Sequence, residues 1–242
     1  MRAGLRKSQL VALSALFGAM TLLFTVVLTV YIPETRGYFN LGEAGVYLTA
    51  MVLPPLWAAL AAGLGSALAD VVLGYYVYAP ATLVVKASEA FVASLLLRKL
   101  SGVKLGKAPG LAASLAVPSL MAVVGTTFYV GSTELYLAPP VGGVLTLNLS
   151  AIVWLAAAIL FAAYLVWATL REVGTSQTLL SLAAGGALMV LGYFFYEQVV
   201  LGVAAIAEVP FNTMQVLVGM TIASLAERRL RAYLLSESIR SA

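Results

Sequence analysis

Cysteine and histidine are both absent from this chain of 242 residues, and Asp70 is its sole aspartate. These absences exclude disulfides, metal sites built on Cys or His, Ser-His or Cys-His nucleophilic catalysis, and a paired-aspartate protease. Charge is scarce as well. Charged residues make up 10% of the chain and hydrophobic residues 62%, with a mean hydropathy of +1.00. Soluble domains are roughly 25% charged and about 45–50% apolar. The composition is that of an all-α, polytopic integral membrane protein forming a single membrane domain, with room for about eight spans of roughly 20 residues.

The formal net charge is +4, yet the basic residues do not form a phosphate-tracking face, so nucleic acid is not an expected partner. They sit at Arg2, Arg6 and Lys7, at Arg98, Lys99, Lys104 and Lys107, at Arg171, and at Arg228, Arg229, Arg231 and Arg240. Each cluster abuts the end of an apolar run, as the positive-inside rule requires. Eight spans with both termini cytoplasmic put twelve of the fourteen Lys and Arg residues inside, leaving Arg36 and the intramembrane Lys86. A multi-pass protein of the cell membrane is expected.

The first apolar run, from about Leu10 to Ile32, is too long for a signal-peptide core, so it reads as a retained helix. Ala15 and Ala19, flanked by Ser14 and Gly18, give it a smooth face, suited either to internal packing or to a docking partner. Tyr31 to Leu41 reads as an outside loop. A short helix follows from Gly42 to Leu53, closed by Pro54-Pro55. The next runs from about Trp57 to Leu73, with small residues at three- and four-residue spacing (Ala59, Gly63, Ala67; Ala61, Gly65, Ala69) that admit a neighbouring backbone. Gly74 to Pro80 turns outside, and a helix from about Ala81 to Leu97 ends at Arg98-Lys99. The GVKLGKA stretch in the following basic loop resembles a phosphate-binding loop only superficially, because its spacing is one residue short and Ala108 replaces Ser or Thr. Two further runs, Leu111 to Val130 and Val144 to Leu170, flank a segment whose alternation predicts a short outside hairpin. The last two helices run from about Leu179 to Gly202 and onward from Glu208, with Pro210 in the first turn.

Against this apolar background Glu43, Asp70, Lys86 and Glu89 stand out. Ionisable groups in a span are costly, and their default reading is a substrate or ion site. Lys86 and Glu89 share a helix face. At roughly 1.5 Å per residue, Asp70 and Lys86 each lie within about 10 Å of the outer surface, so they are within reach of each other. A meeting would be either a buried ion pair that sets helix register or a ligand-facing site. Glu197, Asn212 and Gln215 fall at the same depth, as do Tyr38, Asn40, Tyr75 and Tyr78. Aromatic faces with amides and charges suit a flat heterocycle bearing hydroxyls or amines.

Two stretches carry a resemblance. FNLGEAGVYLTAMVLPPLWAALAAGLGSALADVVLGYYVYAPATLVVKASEA resembles the S-component, the substrate-capture subunit, of energy-coupling-factor (ECF) vitamin transporters. The match lies in its NLG loop with an acidic residue, its G-x-G-S-A-x-A-D helix, its GY turn and its A-P-A-T helix ending in Lys. EVPFNTMQVLVGMTIASLAERRL is similar to that family's last helix, where P-F-N-x-x-Q is typical. The resemblance covers about residues 8–100 and 178–232. It implies a six-helix core, with 104–175 as an inserted two-helix hairpin. It further implies a vitamin or vitamin precursor bound in an outward-opening pocket, with Tyr38, Asn40, Asp70, Tyr75, Tyr78, Lys86, Glu89, Glu197, Asn212 and Gln215 as candidate ligand-binding residues. The implied partners are a separate transmembrane scaffold, docked at Ala15 and Ala19, and two ATPase subunits. The chain carries no ATP-binding motif of its own, and no cofactor, metal or enzymatic activity is expected. The motif forms fit the branch holding riboflavin and hydroxymethylpyrimidine uptake subunits, with riboflavin the nominal cargo. The alternative is a stand-alone ion-coupled transporter in which Asp70, Glu89 or Glu197 carries protons; inverted repeats that would favour it are not evident.

Overall fold

A computed structural model describes residues 6–32, 37–101, 103, 105–137, 143–171 and 174–240, the side chains of 31, 32, 37, 133–137, 203, 204, 207 and 228–240 excepted. Arg2, Arg36 and Lys104, invoked above for charge placement, lie outside the described residues, as do the side chains of Arg228, Arg229, Arg231 and Arg240.

Eight α-helices carry the architecture: α1 Lys7–Val27, α2 Gly42–Val52, α3 Pro55–Leu73, α4 Ala79–Leu100, α5 Lys107–Phe128, α6 Ala151–Arg171, α7 Thr175–Leu201 and α8 Glu208–Arg240. Seven of these are long and apolar enough to cross a membrane. The eighth, α2, has 11 residues, about 16 Å at 1.5 Å per residue, and is the short helix expected among the eight passes. The short helix still completes the crossing. It starts beside α1, where a side chain on Gly45 would press on Thr21. It ends beside the basic end of α4, where Ser94 Oγ donates to the Leu53 carbonyl at 2.7 Å and Arg98 reaches the Val52 carbonyl. The missing outer length is supplied by extended chain.

That extended chain is the main departure from expectation. α1 stops at Val27, and residues Leu28–Ile32 form strand β1, not a last helical turn. The β-branched sequence from Thr25 through Ile32 accounts for this, since stiff χ1 angles favour the pleated state. β1 pairs antiparallel with β2 (Gly37–Asn40), so the expected outside loop is largely strand. The hairpin expected between α5 and α6 is present as β3 (Gly131–Leu137) and β4 (Val144–Leu149). Leu28 and Thr29 pair with Leu137 and Tyr136, joining the two hairpins into one sheet of order β2-β1-β3-β4 over the outer end of the bundle.

Below the sheet the helices pack closely because small residues meet backbone. The carbonyl of Ala61 on α3 stands 3.1 Å from where a Cβ on Gly18 of α1 would be, and that of Leu83 on α4 stands 2.8 Å from the same point on Gly63. The α3 stripe therefore serves two neighbours, α1 and α4. Pro55 opens α3, where a missing N–H costs nothing, and Gly74 closes it at φ +86°, a conformation that favours glycine. The core between α2, α4, α7 and α8 is built on Tyr47, Leu179, Leu182, Met189 and Met220.

Candidate functional site

One polar cavity lies beneath the sheet, at the outer ends of the helices. It is lined by Thr25 of α1, Tyr38 and Asn40 of β2, Gly42 of α2, Ser66 and Asp70 of α3, Tyr75 and Tyr78 of the turn, Thr82 and Lys86 of α4, Tyr193 and Glu197 of α7, and Glu208, Asn212 and Gln215 of α8. No lining residue comes from α5 or α6.

Each wall follows from local chemistry. Asn40 Oδ1 accepts from the Gly42 backbone N–H at 2.7 Å, a side-chain turn that starts α2 at this depth. Residue 42 has no room for a side chain, since Thr25 and Asn40 occupy the space. Tyr38 reaches down from β2 and donates its hydroxyl to Asp70 Oδ1 at 2.6 Å, while its ring lies against Tyr75 with centroids 4.4 Å apart. The Tyr38 phenol, above the spans, is pushed well above its ordinary pKa by burial first and then by the Asp70 carboxylate. Opposite, Tyr78 meets Tyr196 edge-on at 6.0 Å, and Tyr196 donates to the Val77 carbonyl. Tyr193 donates to Thr82 Oγ1 at 2.9 Å. These rings make flat, rigid walls with polar rims.

Lys86 forms the floor. By depth alone it could meet Asp70, but its ion pairs are with Glu43 on α2 and, at 3.5 Å, with Glu89 one turn below on its own helix. Its ammonium also lies 5.5 Å from the centroid of the Tyr193 ring. The reason is topological: α2 brings the first-turn carboxylate of Glu43 against α4, whereas Asp70 is taken by Tyr38. The triad is almost fully buried, with Glu43 1%, Lys86 6% and Glu89 0% exposed.

Of the ten residues expected to bind ligand, nine therefore line one cavity: Tyr38, Asn40, Asp70, Tyr75, Tyr78, Lys86, Glu197, Asn212 and Gln215. Glu89 does not. It points below the floor, against Gly185 of α7, and is tied to the cavity through Lys86. Sequence reading missed Thr25, Gly42, Ser66, Thr82, Tyr193 and Glu208 as lining residues. Ser66 and Thr82 sat inside the quoted motifs, and Tyr193 lies one helical turn before Glu197; Thr25 carried no signal.

Several buried polar atoms on this cavity lack a hydrogen-bond partner: Ser66 Oγ, Asp70 Oδ2, Tyr78 OH, Glu197 Oε2 and Asn212 Nδ2. Gln215 Nε2 approaches Asn212 Oδ1 only at 3.5 Å. Buried polar groups are normally satisfied, so a cluster of orphans on one cavity marks a place where another molecule supplies the partners. The space is narrow, about 50 Å³ for the centres of water molecules, and a single water needs roughly 10–15 Å³. The arrangement is a narrow, partly open polar pocket with aromatic walls beneath the β-sheet.

Away from it, Ala15 and Ala19 are exposed and line an apolar groove with Trp57, Leu60, Leu64 and Leu68, between α1 and α3. Gly18, by contrast, is used internally against Ala61 and Gly65.

Comparison with known proteins agrees with these features. The family described as ECF-type riboflavin transporter, S component, matches residues 6–137, more than half of the chain. A curated relative from Pyrococcus woesei, described as "Uncharacterized protein in gap 3'region", is 41% identical over 68 residues, 28% of this chain and 45% of the relative. The chain thus spans less than half the length of that relative. No solved structure matches. The family match includes α1 through α4, which supply most of the pocket, and continues through α5 and β3. This integral membrane protein belongs to the family of ECF-type riboflavin transporter S components, a transporter family and not an enzyme family.

Proposed function

We propose that the protein is the substrate-capture subunit of an ATP-driven importer. It takes a vitamin-sized flat heterocycle from outside into the pocket beneath the sheet and hands it on through a separate membrane scaffold energised by two ATPase subunits. The observation that carries this reading is the set of unpartnered buried polar groups, framed by tyrosines, on one cavity at the outer end of the bundle. The strand over the pocket is β2, held to the helices through Tyr38, and its movement would widen the pocket for a ring system. Riboflavin, which the family description names, is the nominal cargo; an amine-bearing pyrimidine is of the same ligand type. The groove carrying Ala15 and Ala19 is the proposed scaffold-docking face. The α5–β3–β4–α6 unit, expected as an insertion, supplies no lining residue and meets β1 through β3, so its proposed role is to support the strand over the pocket.

The test is to purify the full chain in detergent and identify any co-purifying small molecule. A yellow preparation with flavin absorbance supports riboflavin, and a colourless one that ignores added riboflavin removes it. Buried carboxylates also fit an ion-coupled transporter, the second reading. Uptake that persists in cells lacking the ATPase subunits would favour that reading and sink the first.

A further inference from the structure

The charges around the pocket do not balance. Asp70, Glu197 and Glu208 line it at 3%, 2% and 4% exposure, and the cation that lines it with them is Lys86. That ammonium is already committed to Glu43 and Glu89. Among the described residues neither Asp70 nor Glu197 has an ion-pair partner, and one oxygen of each lacks a hydrogen-bond donor. The phenol of Tyr78, in the turn above the spans, is held well above its ordinary pKa by burial first and then by the carboxylates of Glu197, Glu208 and Asp70. An ionised carboxylate withdrawn from water without a counter-charge is strongly unfavourable. Such a group is neutralised either by a proton or by a cation; a ligand that brings positive charge supplies the cation when it binds, whereas a neutral ring leaves only the proton.

Resting on the reading of this cavity as the capture pocket, we infer that its ligand is a flat heterocycle carrying a fixed positive charge or a protonatable amine, seated between the tyrosines with that group against Asp70 and Glu197. The uncompensated carboxylates supply discrimination. A neutral or anionic analogue of the same shape brings no charge to pair with either carboxylate. Lys86 does not select for an anion, because Glu43 and Glu89 hold it; its role is to keep the floor neutral enough to remain buried.

The experiment measures binding and thermal unfolding of the full-length protein in detergent with three probes. These are thiamine, a fixed cation; 4-amino-5-hydroxymethyl-2-methylpyrimidine, a protonatable amine; and riboflavin, which is neutral. At least one of the first two is expected to bind tenfold or more tightly than riboflavin. Glu197→Gln and Asp70→Asn are each expected to weaken binding of the charged probe by about tenfold and so erase that preference. The probe comparison uses the native protein, so the outcome stands even if a variant fails to fold. Tighter binding of riboflavin than of either charged probe overturns the charge inference and leaves the capture reading intact. If no probe binds and no small molecule co-purifies, the capture reading fails, and the inference with it.

Discussion

At the level of single side chains, Lys86 and Asn212 play opposite parts. Lys86 is a structural cation whose ion-pair partners are two carboxylates buried more deeply than itself. Removing one member of such a group leaves the others charged and unpaired, which typically costs about 3–5 kcal/mol. Lys86→Met is therefore expected to lower the unfolding temperature in detergent sharply. The triple variant with Glu43→Gln and Glu89→Gln should recover most of the loss, and failure to recover would show that the carboxylates are not what the lysine compensates. Asn212 is 5% exposed with an amide nitrogen that has no hydrogen-bond partner, so it has a donor to spare for a ligand. If the amide contacts the ligand, Asn212→Ala should weaken binding by about 1–3 kcal/mol, the cost of leaving a buried polar partner unmet. Calorimetric titration of the co-purified molecule onto emptied protein reads this directly, and an unchanged affinity would remove Asn212 from the site.

At the level of helices and strands, close approach is the organising device. A Cβ on Gly45 would stand 2.7 Å from the Thr21 Cα, which is backbone and cannot turn away. Gly45→Ala is expected to cost about 1–3 kcal/mol by overpacking α1 against α2, seen as a lower unfolding temperature. Gly143→Ala, in a loop with nothing within 4 Å and no positive φ, is the control that should leave stability unchanged. Elsewhere α1 is little covered and presents Ala15 and Ala19 to the apolar groove with α3. Ala15→Trp and Ala19→Trp fill that groove without touching the pocket. They are expected to leave ligand affinity intact and abolish co-purification with the scaffold; retained scaffold would refute the docking assignment.

For the whole molecule, the chain order of the passes sets the sidedness. α4 and α6 end in basic residues, and Lys107 at the start of α5 donates to the Leu170 carbonyl near the end of α6 at 2.9 Å, so these ends share one face. The sheet and the pocket lie at the other. Because the native chain has no cysteine, single cysteines give background-free labelling. Tyr76→Cys and Val144→Cys, at positions 67% and 56% exposed, should react with a membrane-impermeant maleimide in intact cells. Ser101→Cys should react only after lysis. Labelling of position 101 in intact cells would invert or break the proposed topology.

Much of this was readable from residue order. The charge scarcity, the basic clusters and the Gly and Pro boundaries determine a multi-pass helical bundle and its orientation, because lipid forces every span to satisfy its own backbone and penalises cations on the wrong side. Asp70, Lys86 and Glu197 were readable as site candidates for the same reason: each is expensive in hydrocarbon. The strand β1 was not readable, since a buried strand and a membrane helix both present an unbroken apolar run and periodicity does not separate them. Nor was the pairing of Lys86 with Glu43 in place of Asp70. Which carboxylate reaches an ammonium depends on where α2 and β2 stop, and on Tyr38 bonding Asp70 first. Those distances are set by packing between segments far apart in the chain, and local sequence carries no record of them.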